Sequence, residues 1–306
     1  MQSNEKTAAS EVGEMRMTGT RPDALGGWIV RARDEIINLL SLLAFFAITA
    51  LLFRSIPFAL VVTASLGFHE LGHAMAIGKL GLEWRICFGL PGAWTWSPLK
   101  ERARLPQFTN AGVHMAGPFF SLLLAVIALA LHNVWQPESF HLLILANFSA
   151  QIGFLNLLPL GGLTDGGKVI RRAVASLDER HRGLAAVLPV AITGVMVLLY
   201  ALAELPHTRA ATDSAVLVLL GLLLVGVWIA AGVLLEVTGS PGGKVDPLSA
   251  GKPMTPREGY FLILVMWNML MMLLLLIAAT PFWLMPEFVM GSLWNVVDLL
   301  RFIVAL

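Results

Sequence analysis

One cysteine, Cys87, in 306 residues leaves no internal disulfide to form, so the fold does not depend on an oxidising compartment. Charge is scarce as well. Asp, Glu, Lys and Arg make up 13% of the chain, against about 25% in a soluble domain. The formal net charge of +1 gives a nucleic-acid backbone nothing to bind. Apolar residues take the place of charge: 57% of the chain is hydrophobic and the mean hydropathy is +0.76. Several uninterrupted apolar runs reach about twenty residues, the length needed to cross a bilayer. This composition excludes an ordinary globular domain, and it excludes a disordered or fibrous chain, which needs far less apolar side chain. It predicts an all-α polytopic membrane protein.

Seven runs qualify as spans: residues 36–53, 56–77, 112–131, 140–160, 184–203, 214–237 and 260–284. The first follows a polar tail and is not trailed by a small-x-small site, so it reads as a span and not a cleavable signal. Residues 1–35 read as a disordered tail, residues 36–55 as the first transmembrane helix, 56–183 as a core of three spans, and 184–306 as an accessory region. Residues 286–306 carry Asn295, Asp298 and Arg301 at three-residue spacing among Leu, Val and Ile. That pattern suits a helix lying in the interface, with an eighth span as the alternative. The 238–260 loop, rich in Gly, Pro, Ser and Lys, reads as a flexible connector, and no soluble segment is long enough to hold its own core.

Lysine and arginine set the expected orientation. With the N-terminus in the cytoplasm, every one of the 21 except Arg54, Arg209 and Arg301 falls in the tail or in a cytoplasmic loop. No organelle-targeting pattern is present, so the expected location is a bacterial inner membrane.

Ionisable side chains inside a span are costly, and each needs a reason. The second span contains His69-Glu70-Leu71-Gly72-His73, an H-E-x-x-H sequence. Four residues apart on a helix, His69 and His73 project from one face, one turn apart. Two imidazoles so placed can ligate one zinc, and the intervening Glu70 sits where it can take a proton from an attacking water. The plainer alternative is a polar packing cluster between helices. Two histidines leave zinc one protein ligand short. Among the later acidic residues, Glu83, Glu101, Glu138, Glu179 and Glu204 lie in loops or at span edges and Glu236 ends the sixth span. Asp165 differs, because it follows Asn156-Leu-Leu-Pro159-Leu-Gly161-Gly162 at the end of the fourth span. Pro159 and the two glycines break that helix, and the broken segment can turn back toward His69 and His73. An Asp beside glycines is ordinary in a loop, but beside the metal pair Asp165 is the favoured third ligand.

Together these motifs resemble the site-2 protease family of intramembrane zinc metalloproteases, in which an H-E-x-x-H helix precedes an N-x-x-P…D-G segment within a three-span core. The resemblance covers about residues 56–172. It implies one zinc per chain on His69, His73 and Asp165, Glu70 as catalytic base, and a substrate-binding role for Asn156. It further implies an endopeptidase acting on transmembrane or membrane-associated protein substrates, entered from the cytoplasmic side. The chain departs from the family pattern twice. Nine residues separate Asn156 from Asp165 where eight are usual, and the third span opens Gly117-Pro118-Phe119-Phe120-Ser121 where the family has Asn at the last position. Ser121 predicts a weakened polar contact and not a lost function.

Between the second and third spans, Trp84, Ile86 and Phe88 alternate with Arg85, Cys87 and Gly89, and Trp94-Thr95-Trp96 resumes the alternation after Leu90-Pro91-Gly92. This predicts a short hairpin, which in the family dips into the membrane and whose edge could hold an unwound substrate. An interfacial loop anchored by tryptophans is the alternative. His114, just before the third span, reads either as a site neighbour or as an interfacial hydrogen-bonder. Two rival functions remain at this level: a catalytically silent scaffold or regulator that binds transmembrane segments, and a cation transporter. The transporter lacks paired broken helices in symmetric halves.

Overall fold

A computed structural model of the chain describes residues 24–89, 92–137, 139–159, 164–177, 194–195 and 251–280. Helix α1 (Ala24–Phe53) is followed by α2 (Ile56–Lys79), β1 (Arg85–Gly89), β2 (Gly92–Trp96) and α3 (Leu99–Arg102). Then come α4 (Gln107–Val134), α5 (Phe140–Leu157), α6 (Asp165–Ala175) and α7 (Pro256–Ala279). The chain divides into two compact units at Leu40 and Ser41: the first contributes the opening part of α1, and the second holds every other described element.

Among the described residues, five helices are long and apolar enough to cross a membrane: 35–53 within α1, and α2, α4, α5 and α7. They coincide with five of the seven expected spans. The other two, at 184–203 and 214–237, and the C-terminal segment at 286–306 lie outside the described residues. One boundary needs correction. Residues 24–35, assigned to the disordered tail, are helical and continuous with the first span. Extending an existing helix adds one hydrogen bond per residue without a second nucleation cost, so a polar flank readily continues an apolar span.

Local chemistry explains the helix starts. Ser55 caps α2 by accepting from the Phe58 amide at 3.3 Å, with Pro57 in the first turn. Thr255 and Glu258 form a reciprocal capping box at the start of α7. The two strands pair antiparallel with Cys87 opposite Trp94, so the expected hairpin is present.

Two apolar clusters hold the helices. One joins α4, α5, α6 and α7 through buried Ala125, Ala150, Leu157, Val169, Met266 and Leu270. The other joins α1, α2 and α5 through Phe45, Phe58, Val61, Val62 and Ile144. Small residues (Ala59, Ala74, Ala111, Ala125, Ala146, Ala150) are fully buried, which lets helix backbones approach closely where a lipid solvent supplies no hydrophobic drive. Ser65 and Ser149 add a 2.9 Å hydrogen bond between α2 and α5. Met266 and Met269 pack in the core while Met272 is exposed, so the methionine-rich α7 both packs and faces outward. The outward faces of α1, α2 and α4 carry exposed Leu43, Leu51, Leu60, Leu123 and Ile127, a surface suited to hydrocarbon and not to water.

Candidate metal centre

His69 and His73 lie on the buried face of α2, with Glu70 beside them, and all three are less than a tenth exposed. Their ligand atoms lie within 4.8 Å of one another, a group that could hold a metal ion. The fourth participant arrives from elsewhere in the chain. Helix α5 stops at Leu157, two residues before Pro159, and α6 begins at Asp165. Thr164 makes that restart: its hydroxyl donates to the Leu158 carbonyl and accepts the Gly167 amide as the α6 cap. Gly166 permits the close approach of the two segments, because a Cβ there would overlap the Leu157 carbonyl. Asp165 Oδ2 lies 3.0 Å from His73 Nε2 and 3.4 Å from His69 Nε2. The two Nε2 atoms are 3.3 Å apart.

This triangle passes a simple test of fit. Tetrahedral zinc with bonds of about 2.0–2.1 Å separates neighbouring ligand atoms by about 3.3–3.4 Å. The three separations here, 3.0, 3.3 and 3.4 Å, are close to one face of such a tetrahedron. The His73 ring is also held with its proton on Nδ1. His73 Nδ1 is 2.7 Å from the Val113 carbonyl, which can only accept, so Nδ1 carries the proton and Nε2 is left to face Asp165. His69 Nδ1 pairs with Ser121 Oγ at 2.9 Å. The contact expected from Ser121 is therefore present and lies behind a proposed ligand.

Glycine at position 117 keeps α4 clear of the two rings. A Cβ on Gly117 of α4 would come within 2.6 Å of His73 Cε1 and 2.8 Å of His69 Nε2, filling the gap between the rings. Burial opposes the charge of Asp165, whereas the hydrogen bond that His114 Nδ1 donates favours it, and the carboxyl lies well below the usual carboxylate range. Lys168, one turn along α6, adds a cation 3.9 Å from Oδ1.

A cavity of about 200 Å³ opens beside this cluster, lined among others by Glu70, His73, Trp94, Thr95, Asn156 and Asp165. Asn156 thus faces the same space as Glu70, with its amide donating to the Ile152 carbonyl at 3.1 Å. Thr95 on β2 donates to Glu70 Oε2 at 2.8 Å and lies 2.9 Å from the Glu70 carbonyl, so the hairpin grips the glutamate directly.

Residue-by-residue reading of the chain missed part of this arrangement. Local pattern assigns no role to Thr95, Arg102 or Gly117, and reads His114 only as a site neighbour or an interfacial residue. His114 is buried, with Nδ1 2.9 Å from Asp165 Oδ1. A helical signal was available for two of these: 114, 117 and 121 fall at i, i+3 and i+7, one face of α4. No comparable signal marks Thr95 or Arg102. No family profile, curated protein or solved structure matches this chain, so the reading of the centre rests on its own geometry.

Proposed function

We propose that this chain is an intramembrane zinc endopeptidase of the site-2 protease kind, cleaving transmembrane or membrane-associated protein segments. The observation that carries this reading is the convergence of His69 Nε2, His73 Nε2 and Asp165 Oδ2 at 3.0–3.4 Å, with both histidines on a helix apolar enough to span a membrane, beside a cavity that Glu70 lines. One zinc per chain on those three atoms would supply the Lewis acidity that polarises a peptide carbonyl and eases deprotonation of water. Glu70 takes the proton of the attacking water and passes it to the departing amine. Thr95 holds Glu70 Oε2 and so limits the directions that carboxylate can face. Asn156, which lines the same cavity, orients substrate, and the hairpin offers a strand edge to an unwound segment. The distribution of lysine and arginine favours a cytoplasmic N-terminus in a bacterial inner membrane, with the centre reached from the cytoplasmic side.

The test uses the full chain reconstituted in liposomes with a panel of fluorescently tagged single-span peptides. The native protein should cleave at least one of them. Glu70→Gln should cleave none while keeping one zinc per chain. Cleavage persisting in Glu70→Gln overturns the mechanism. Binding of these peptides that survives removal of His69, His73 and Asp165, with no cleavage by the native chain, would replace the enzyme with a silent membrane scaffold.

A further inference from the structure

Behind Asp165 stands a second pair of residues with no part in the three-ligand set. Arg102, the last residue of α3, lays its guanidinium along the first turns of α4: Nε donates to Asn110 Oδ1 at 3.2 Å and Nη2 to His114 Nε2 at 2.8 Å. Asn110 and His114 are four residues apart and share a helix face, so one planar fork spans both.

The chemistry of the pair has one solution. Arginine has no acceptor and keeps its proton in proteins, so the Arg102–His114 contact requires an unprotonated Nε2 on His114. The neutral ring then carries its single proton on Nδ1, which is the atom 2.9 Å from Asp165 Oδ1. The carboxylate is thereby divided: Oδ1 accepts from His114, and Oδ2 is left facing His69 and His73. Asp165 needs such a tether more than the histidines do, because it stands in the first turn of an eleven-residue helix and not within a long span.

We propose that Arg102 and His114 act as a positioning relay that sets Asp165 as a single-oxygen zinc ligand, with Arg102 fixing the tautomer of His114 and His114 fixing the rotation of the carboxylate. This rests on the reading of His69, His73 and Asp165 as the zinc site. It adds that the site's affinity depends on a residue of the short helix between the hairpin and α4. Outer partners of ligands commonly contribute about 10–100-fold in metal affinity.

The experiment measures zinc affinity of the full chain in detergent, by competition with a chromophoric chelator, together with the visible spectrum of the cobalt-substituted protein. His114→Leu removes the donor at similar bulk and should weaken zinc about 10–100-fold, with a changed cobalt spectrum. His114→Asn keeps an N–H toward Asp165 and should stay within about threefold of native. Arg102→Leu leaves His114 free to change tautomer and should weaken zinc in the same direction, with Arg102→Lys closer to native. A folded His114→Leu protein with native zinc affinity and cobalt spectrum overturns the relay. If His114→Leu does not fold, the Arg102 pair decides: native affinity in Arg102→Leu overturns the relay, and weakened affinity restored by Lys supports it. Absence of zinc binding in the native chain fails the metal site itself, and the relay with it, a result distinct from tight binding that ignores both substitutions.

Discussion

Gly117 of α4 lies directly against His73 of α2, so close that a single methyl at position 117 would stand among the ring atoms of His73 and His69. The glycine keeps α4 clear of the two rings. Gly117→Ala should displace the two rings at an overpacking cost of about 1–3 kcal/mol, and a folded variant should hold far less than one zinc per chain. Elemental analysis of purified protein alongside a circular dichroism spectrum checks it. Native zinc content in a folded Gly117→Ala protein would place the metal elsewhere.

Thr95 and Glu70 join the hairpin to the proposed base through a 2.8 Å hydrogen bond. Thr95→Val preserves shape and removes the donor, whereas Thr95→Ser restores it. The valine variant should lose about tenfold in kcat, the cost of a misaligned catalytic group, with KM and zinc content near native, and serine should recover most of the loss. An equal loss in both variants would assign Thr95 to packing alone.

Metal occupancy should fall as pH is lowered. Zinc needs unprotonated imidazole nitrogens, so protons compete for His69 Nε2 and His73 Nε2. Asp165 is held well below the usual carboxylate range, so its own protonation does not drive the loss. Asp165→Asn should accordingly weaken zinc at every pH and leave the steepness of the acid loss unchanged. Zinc titrations of both proteins from neutral to mildly acidic pH would show the two curves displaced but parallel.

Leu270 tests whether α7 belongs to the structural core. It is fully buried in the cluster shared with α4, α5 and α6. Leu270→Ala should destabilise by about 2–5 kcal/mol, mostly through the cavity it leaves. Exposed Leu275→Ala on the same helix should cost under about 1 kcal/mol. Unfolding in mixed detergent micelles compares the pair, and equal effects would detach α7 from the core.

The parts of this protein that local periodicity controls could be read from the chain alone. Hydropathy over windows of about twenty residues located α2, α4, α5 and α7 to within a few residues. Four-residue spacing put His69 and His73 on one face of α2 because a helix repeats every 3.6 residues wherever it sits. The alternation around Cys87 and Thr95 foretold the hairpin. The start of α1 was misjudged, since polarity alone does not stop a helix already nucleated by its apolar neighbour.

What brings distant residues to one point could not be read that way. Asp165 meets His73 across 92 positions of sequence, and the meeting depends on where Pro159 ends α5 and how closely Gly166 lets α6 pass Leu157. Thr95 reaches Glu70, and Arg102 reaches His114, only through the path of the chain between α2 and α4. Composition and spacing settled which residues can bind a metal within one helix. Tertiary packing decided which carboxylate stands against the histidine pair, which hydrogen bonds orient it, and which glycine lies beside it, because those are distances between elements and no local pattern encodes them.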